Sequence, residues 1–202
     1  MNTIILDFET SGLNPYHDDI IEIGAKVMGS DNYYATLVKP KSNQYISKKI
    51  TEITGITNRT LRNEGKEWVT AYSDFYNWLL DQLKKDHENI IVSHNGTTFD
   101  FLFLKRMILD LKQKGDNVSG IDEYTIIYAD TLLLSRRLLP NRSYYNQGSL
   151  CKTFNIPIDV SHRAMGDVMC LEQLYEKLIN VLKRDYDTIT GKVVEDFINL
   201  KI

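Results

Sequence analysis

Two acids separated by one residue carry the first chemistry in the chain: Asp7 and Glu9, in the run Thr3-Ile-Ile-Leu-Asp-Phe-Glu-Thr-Ser-Gly-Leu13. In an extended strand, side chains alternate between faces, so both carboxylates project one way and Phe8 the other. Neighbouring carboxylates repel each other, and such a pair either raises one pKa or holds a divalent cation. Asp100 ends the segment His94-Asn-Gly-Thr-Thr-Phe-Asp100, and His162 and Asp167 bracket His162-Arg-Ala-Met-Gly-Asp167. Four carboxylates on three separate elements, with a histidine five residues before the last of them, form a far more specific pattern than any piece alone. Hard oxygen donors of this kind suit Mg²⁺ or Mn²⁺ better than zinc, which prefers His and Cys.

The elements that must position these groups follow from periodicity and turn signals. Residues 3–9 read as a buried strand, and Thr10 to Pro15 as a turn punctuated by Gly12 and Asn14-Pro15. Asp19 to Met28 is β-rich, Gly29 to Asn32 is a hairpin turn, and Tyr33 to Val38 is a third strand ending at Pro40. The segment Ser47 to Arg59 holds a short helix that stops at Gly55. Glu67 to Lys85 is amphipathic at helical spacing, with Trp68, Tyr72, Phe75 and Trp78 on the core side.

Asn89 to Ser93 reads as a fourth strand, Asp100 to Gln113 as a helix, 112–122 as a loop and Tyr124 to Asp130 as a fifth strand. Helices follow at Thr131 to Leu139, Ser149 to Phe154 and about 162–184, with Ser161 as the N-cap of the last. A loop around Gly191 and a short helix at Val193 to Leu200 complete the chain. A three-strand meander followed by two strands separated by helices suits an α/β fold, a mixed five-stranded sheet flanked by helices on both faces. Sites in open α/β sheets form beyond the carboxyl ends of central strands, where Asp7, Glu9 and Asp100 fall. The domain reading is one unit over 1–184 with a C-terminal extension at 185–202, packed on the same domain.

Composition bounds the function classes. At 202 residues, 43% hydrophobic and 25% charged, the chain can bury a full core without staples. A net charge of −3 argues against a protein that coats long stretches of nucleic acid, but not against one gripping a few nucleotides. No apolar run approaches the roughly 18–20 residues of a membrane span, and Met1-Asn2-Thr3 shows no signal-peptide pattern. Cys151 and Cys170 lack metal-ligand spacing and read as buried thiols, so a cytoplasmic, reducing location with no membrane partner is expected.

On these motifs the sequence resembles the DEDD superfamily of 3′–5′ exonucleases, in the branch with a catalytic histidine (DEDDh, DnaQ-like), which includes proofreading subunits and RNase T-type nucleases. The matching segments are residues 6–13, 94–100 and 162–167, supported by Ile53-Thr-Gly-Ile-Thr57 and Ala129-Asp-Thr131, and they spread over about residues 3–180. Two small departures are Gly96, where the family often has alanine, and Met165, where leucine is common. The resemblance implies an RNase H-like fold. It implies two Mg²⁺ or Mn²⁺ ions held by Asp7, Glu9, Asp100 and Asp167, roughly 3.5–4 Å apart, that stabilise the attacking and leaving oxygens. His162 would act as general base, since an ordinary histidine pKa of about 6.5 suits proton transfer near neutrality.

The implied product is a nucleoside 5′-monophosphate from the 3′ end of DNA or RNA. Thr10, Ser11, Gly12, Leu13, Ile56, Asn95 and Phe99 would hold the terminal nucleotide, with Leu13 and Ile56 as wedges against bases. The implied partners are single strands or frayed 3′ ends, and a polymerase or another replication or repair protein. The alternative is a catalytically weak module on the same fold that binds nucleic acid or a polymerase. Such a module is expected to have lost an acid, and all five signature residues are present. Beside the motifs, His94 reads as an orienting residue, Asp130 as a cap or strand-end acid, and Asp18 and Asp19 as a solvated turn.

Overall fold

The computed structural model describes residues 2–41, 45–116, 118–158, 162–184 and 186–199. Five strands form a single sheet: β1 (Asn2–Thr10), β2 (Ile20–Val27), β3 (Tyr33–Leu37), β4 (Asn89–Ser93) and β5 (Ile126–Asp130), in the order β3-β2-β1-β4-β5. β1 pairs antiparallel with β2, and β2 with β3, while β4 runs parallel to both β1 and β5. This is the expected mixed sheet. Around it lie α1 (Lys48–Thr54), α2 (Asn58–Glu64), α3 (Trp68–Gln82), α4 (Asp100–Lys114), α5 (Thr131–Leu138), α6 (Gln147–Thr153), α7 (Ala164–Leu182) and α8 (Gly191–Asn199).

The strict alternation of β1 divides the core in two. Ile4, Leu6 and Phe8 face α3 and α4, packing with Tyr72, Phe75, Leu104 and Met107, and the Phe8 and Phe75 rings meet edge to face at 6.1 Å. Ile5 faces the other way, with Leu134 of α5, Leu150 of α6, Val168 and Leu174 of α7 and Val194 of α8. Asp7 and Glu9 continue the Ile5 face, so the sheet aims both acids at the start of α7. Each fully buried Ile, Leu or Phe in these layers contributes about 1.5–3 kcal/mol. That rigidity is what lets strand ends act as fixed points for a site.

α1 stops at Gly55 as its sequence predicts, at φ 70°, and the Ser47 side chain caps its start by accepting from Ile50 N at 3.3 Å. α2 was not expected. Its stretch Asn-Arg-Thr-Leu-Arg-Asn-Glu buries only Leu61, so no apolar period marks it, and Thr57 starts it by accepting from Thr60 N at 3.0 Å. α4 runs on to Lys114, further than expected, and a turn of 3₁₀ helix at Ile121–Glu123 lies where a loop was expected. α6 begins at Gln147 rather than Ser149 because Asn146 caps it, accepting from Ser149 N at 2.9 Å. α7 begins at Ala164 rather than 162, with His162 and Arg163 leading into it. The N-cap expected at Ser161 lies outside the described residues. Among the described residues no helix is long and apolar enough to cross a membrane.

Candidate active site

The acids of β1 sit opposite β2, with Asp7 facing Gly24 and Glu9 facing Glu22. Gly24 is what allows the first turn of α7 to rest on the sheet, because a Cβ there would lie 2.7 Å from the Ala164 carbonyl carbon. Glu22 then fixes that turn. Its carboxylate accepts from Ala164 N at 3.0 Å and from the Arg163 guanidinium at 2.8 to 3.2 Å. Glu22 thus supplies the cap that the N-terminal amides of α7 require.

Asp167 lies in the first turn of α7. Its Oδ2 accepts from His162 N at 2.8 Å, which draws the histidine back over the helix end, and His162 takes a left-handed backbone with φ 60°. Gln147 of α6 donates to the Asp167 carbonyl at 2.9 Å and to Oδ1 at 3.3 Å. In consequence ligand atoms of Glu9, His162 and Asp167 all lie within 4.8 Å of one another.

Asp100 approaches from the other side, at the head of α4. It is 2% exposed, and both oxygens are bonded: Phe8 N donates to Oδ1 at 3.0 Å and Ser93 Oγ to Oδ2 at 2.5 Å. The loop before it is pinned by Asp130, which caps α5 through Leu132 N at 2.9 Å and also accepts from Asn95 N at 3.0 Å and Thr97 N at 2.9 Å. The cap reading of Asp130 holds, and its second role is to fix the loop leading to Asp100. His94 orients as expected, with Nδ1 at 2.9 Å from Thr131 Oγ1. Gly96 has a local reason: a Cβ there would lie 2.7 Å from the Phe101 ring.

Four crowded carboxylates resist simultaneous ionisation. Burial, then Asp100, Glu9 and Asp167, hold the Asp7 carboxyl well above its ordinary range. Burial, Asp167 and Glu22 push Glu9 up to about 8. Burial raises Asp100 to about 7, against the lowering effect of the Ser93 and Phe8 hydrogen bonds. Asp167 is also raised by burial, opposed by its bond from His162. The cluster is therefore short of positive charge, and its donors are hard oxygens. Asp7, Glu9, Asp100 and Asp167 fit Mg²⁺ or Mn²⁺ as a donor set.

The residues expected to hold a nucleotide are placed unevenly. Leu13 is 82% exposed at the end of β1's following turn, and that turn is tied by Thr10 Oγ1 to the Gly12 carbonyl and by Ser11 Oγ accepting from Asp19 N at 2.8 Å. Gly12 packs against the Asp18 carboxylate, which in turn accepts from Asn14 N at 2.8 Å. Asp18 thus braces this turn. Asp19 is buried and 3.6 Å from the Lys41 ammonium, so it too is structural rather than solvated. Phe99 is half-buried, its ring 5.0 Å from Phe103, and Asn95 is exposed in a left-handed conformation. Ile56 does not meet its expectation. It is 2% exposed, enclosed by Ile21, Ile46 and Leu61, and presents no surface for a base as it stands.

The sequence model of the RNase T exonuclease family matches residues 4–175. The chain belongs to this family. It is 36% identical over 184 residues to the PolC-type DNA polymerase III of Thermotoga maritima, covering 90% of this chain and 12% of the relative. It is 30% identical over 182 residues to that of Bacillus subtilis, covering 87% and 11%. The chain therefore spans about an eighth of the length of these relatives. Among solved structures, E. coli Exonuclease I in complex with a dT13 oligonucleotide superposes with a TM-score of 0.73 at 18% identity, covering 92% of this chain and 42% of that one. Exonuclease X in complex with 5′-overhanging duplex DNA gives 0.63 at 22% identity, covering 98% and 99%. These likenesses show that the sheet and helices take the fold of the exonucleases.

Three residues that position the carboxylates of this cluster escaped the sequence reading. Ser93 looked like the end of a strand, and Gln147 lies outside every motif. Glu22 had a visible signal, an acid inside the apolar run Ile20-Ile-Glu-Ile23, two residues before the Gly24 that admits α7.

Proposed function

We propose that this chain is a metal-dependent 3′–5′ exonuclease that releases nucleoside 5′-monophosphates from DNA or RNA. The observation that carries the reading is the convergence of Glu9, His162 and Asp167 within 4.8 Å, on the same sheet end as Asp7 and Asp100. Asp7, Glu9, Asp100 and Asp167 would hold two divalent cations, which supply a nucleophilic water and charge stabilisation at phosphorus when bound. A ring nitrogen of His162 takes the proton of the attacking water. The bond from the terminal phosphorus to the preceding O3′ breaks, leaving a 3′-hydroxyl on the shortened chain. Leu13 and Phe99 bracket the terminal nucleotide, and the tied turn at Thr10 to Gly12 offers it polar groups.

In this reading the substrate is a single strand or a frayed 3′ end. The partner is a polymerase or another replication or repair protein, because the curated relatives are polymerase chains. Residues 1–184 form the catalytic unit and 185–202 an extension packed on it.

A 5′-labelled single strand incubated with Mg²⁺ or Mn²⁺ should give a ladder shortening from its 3′ end and free 5′-mononucleotides. EDTA should stop the reaction, and Asp7→Asn should slow it on the order of 10³-fold, the several kcal/mol that bound metal contributes. Undiminished digestion in EDTA, or 3′-monophosphate products, overturns the proposal.

A further inference from the structure

The acid-rich centre has an acid-free neighbour. The chain holds 27 Asp and Glu over 202 residues, yet none falls between Thr131 and Ile158, while Arg136, Arg137, Arg142 and Lys152 all do. This stretch comprises α5, α6 and the loop between them, and it adjoins Asp167 and the loops around the site. Gln147 bonds Asp167, the backbone of Tyr145 meets the His94 ring, and Lys152 shares a cavity of about 390 Å³ with His162 and Asp167.

The loop joining α5 to α6 is built to hold one aromatic ring outward. Tyr145 turns in, its hydroxyl donating to the Leu139 carbonyl at 2.7 Å and accepting from Arg142 N at 3.2 Å, with the Arg136 guanidinium 5.9 Å from its ring centre. Arg142 ties the loop to α6 through Thr153 Oγ1 at 2.6 Å. Tyr144 is left 69% exposed on this braced support, shortly before the Gln147 that touches Asp167. Exposed aromatics alternating with cations beside a cleft are how single strands are gripped: bases stack on the rings, and phosphates neutralise the cations.

We infer that the α5–α6 loop and its flanking cations form a strand-binding face, on which Tyr144 stacks a base while Arg136 and Lys152 meet phosphates of the single-stranded polynucleotide whose 3′ end lies at the carboxylates. The inference rests on the proposed exonuclease reading. It adds a reason that a chain of net charge −3 can hold a polyanion against an acidic centre: the anionic strand leaves the centre over the longest stretch that carries no acid. The face is indifferent to sequence, because every base offers a surface for stacking.

Two substrates separate the face from the centre. A labelled single strand of about twelve nucleotides is long enough to span both, being of the order of the roughly 4–16 nucleotides that single-strand-binding modules cover. The nitrophenyl ester of thymidine 5′-monophosphate engages the centre alone. Tyr144→Ala should raise KM for the strand roughly tenfold, the effect of losing one stacked base, and leave hydrolysis of the ester unchanged. Arg136→Gln with Lys152→Gln should lower the slope of log KM against log salt by about 0.7 per lost contact. Equilibrium binding of the same strand to Asp7→Asn protein, with and without these changes, reads the face even if the wild-type chain hydrolyses neither substrate. That last result would overturn the exonuclease reading, while the binding losses would still support the face. Strand KM, binding and salt slope all unchanged in the variants would overturn the face, as would equal losses on the ester.

Discussion

The two sides of the carboxylate cluster are held in different ways. Asp100 is 2% exposed with both oxygens occupied by Phe8 N and Ser93 Oγ, and the loop behind it hangs on two amides donated to Asp130. On the opposite side, no hydrogen bond holds the Glu9 carboxylate among the described residues. His162 and Asp167 there are tied to each other, at the start of a helix moored to the sheet through Glu22. The sheet side is thus set by folding alone. The α7 side is set by the Glu22 clamp and by the Gln147 bonds to Asp167, and leaves the crowded Glu9 carboxylate to a cation in the proposed reading. In the proposed reading the contrast matches the chemistry: one side would hold a fixed ligand, and the other would carry the histidine that exchanges a proton.

The largest effect should fall on the looser side. His162→Ala should lower the rate of mononucleotide release by about 10²–10⁴-fold, as loss of a general base does, with little change in strand binding. A loss of only twofold would remove His162 from that role. The tighter side is probed by Ser93→Ala. It deletes the donor to Asp100 Oδ2 without touching a metal ligand, and should weaken Mn²⁺ binding about 10–100-fold in calorimetry, as loss of a ligand's supporting partner does. Unchanged affinity would mean that Asp100 needs no such support, and the contrast between the sides would collapse.

How far the sequence carried this picture depended on whether each residue announced itself by pattern. Asp7 and Glu9 were legible because strand alternation fixes their face, and the five strands because apolar runs alternate with turn residues. α2 was not, because it buries a single leucine and lives on its caps. Ile56 was misjudged because a motif match says which residue stands at a position but not how much of it is covered, and Ile21, Ile46 and Leu61 cover it. Ser93 and Gln147 act through single hydrogen bonds made across the fold, a kind of contact that leaves no period in the chain. The neighbours of Asp19 in the sequence suggest a solvated turn, yet Lys41 reaches it from beyond β3.

Glu22 is where the two sides meet, and its expected effect is smaller than those above. Glu22→Gln keeps the shape but removes the charge that pairs with Arg163, and should cost about 1–3 kcal/mol in urea unfolding as charged hydrogen bonds are weakened. If α7 depends on this clamp, kcat should fall as well, since Asp167 and His162 ride on the helix. Lost stability with unchanged kcat would show that the α7 side is held by its packing on Gly24 instead.

The subtlest test concerns the charge shortage itself. Glu9 has a folded pKa of about 8 against an ordinary value of 4.5. Between those limits the folded protein binds more protons than the unfolded chain, so stability falls as pH rises through the window. Metal-free protein should therefore melt at a lower temperature at pH 8 than at pH 5.5, by a few degrees once other titrating groups are matched. Glu9→Gln, which stays neutral throughout, should reduce that slope to the share left by Asp7 and Asp100 and melt higher than wild type at pH 8, and saturating Mg²⁺ should erase the wild-type slope without acting on the variant in the same degree. A metal-free Tm that rises from pH 5.5 to 8, or a Glu9→Gln variant that melts lower at pH 8, would mean that Glu9 finds a protein partner after all. The α7 side would then be as preformed as the Asp100 side.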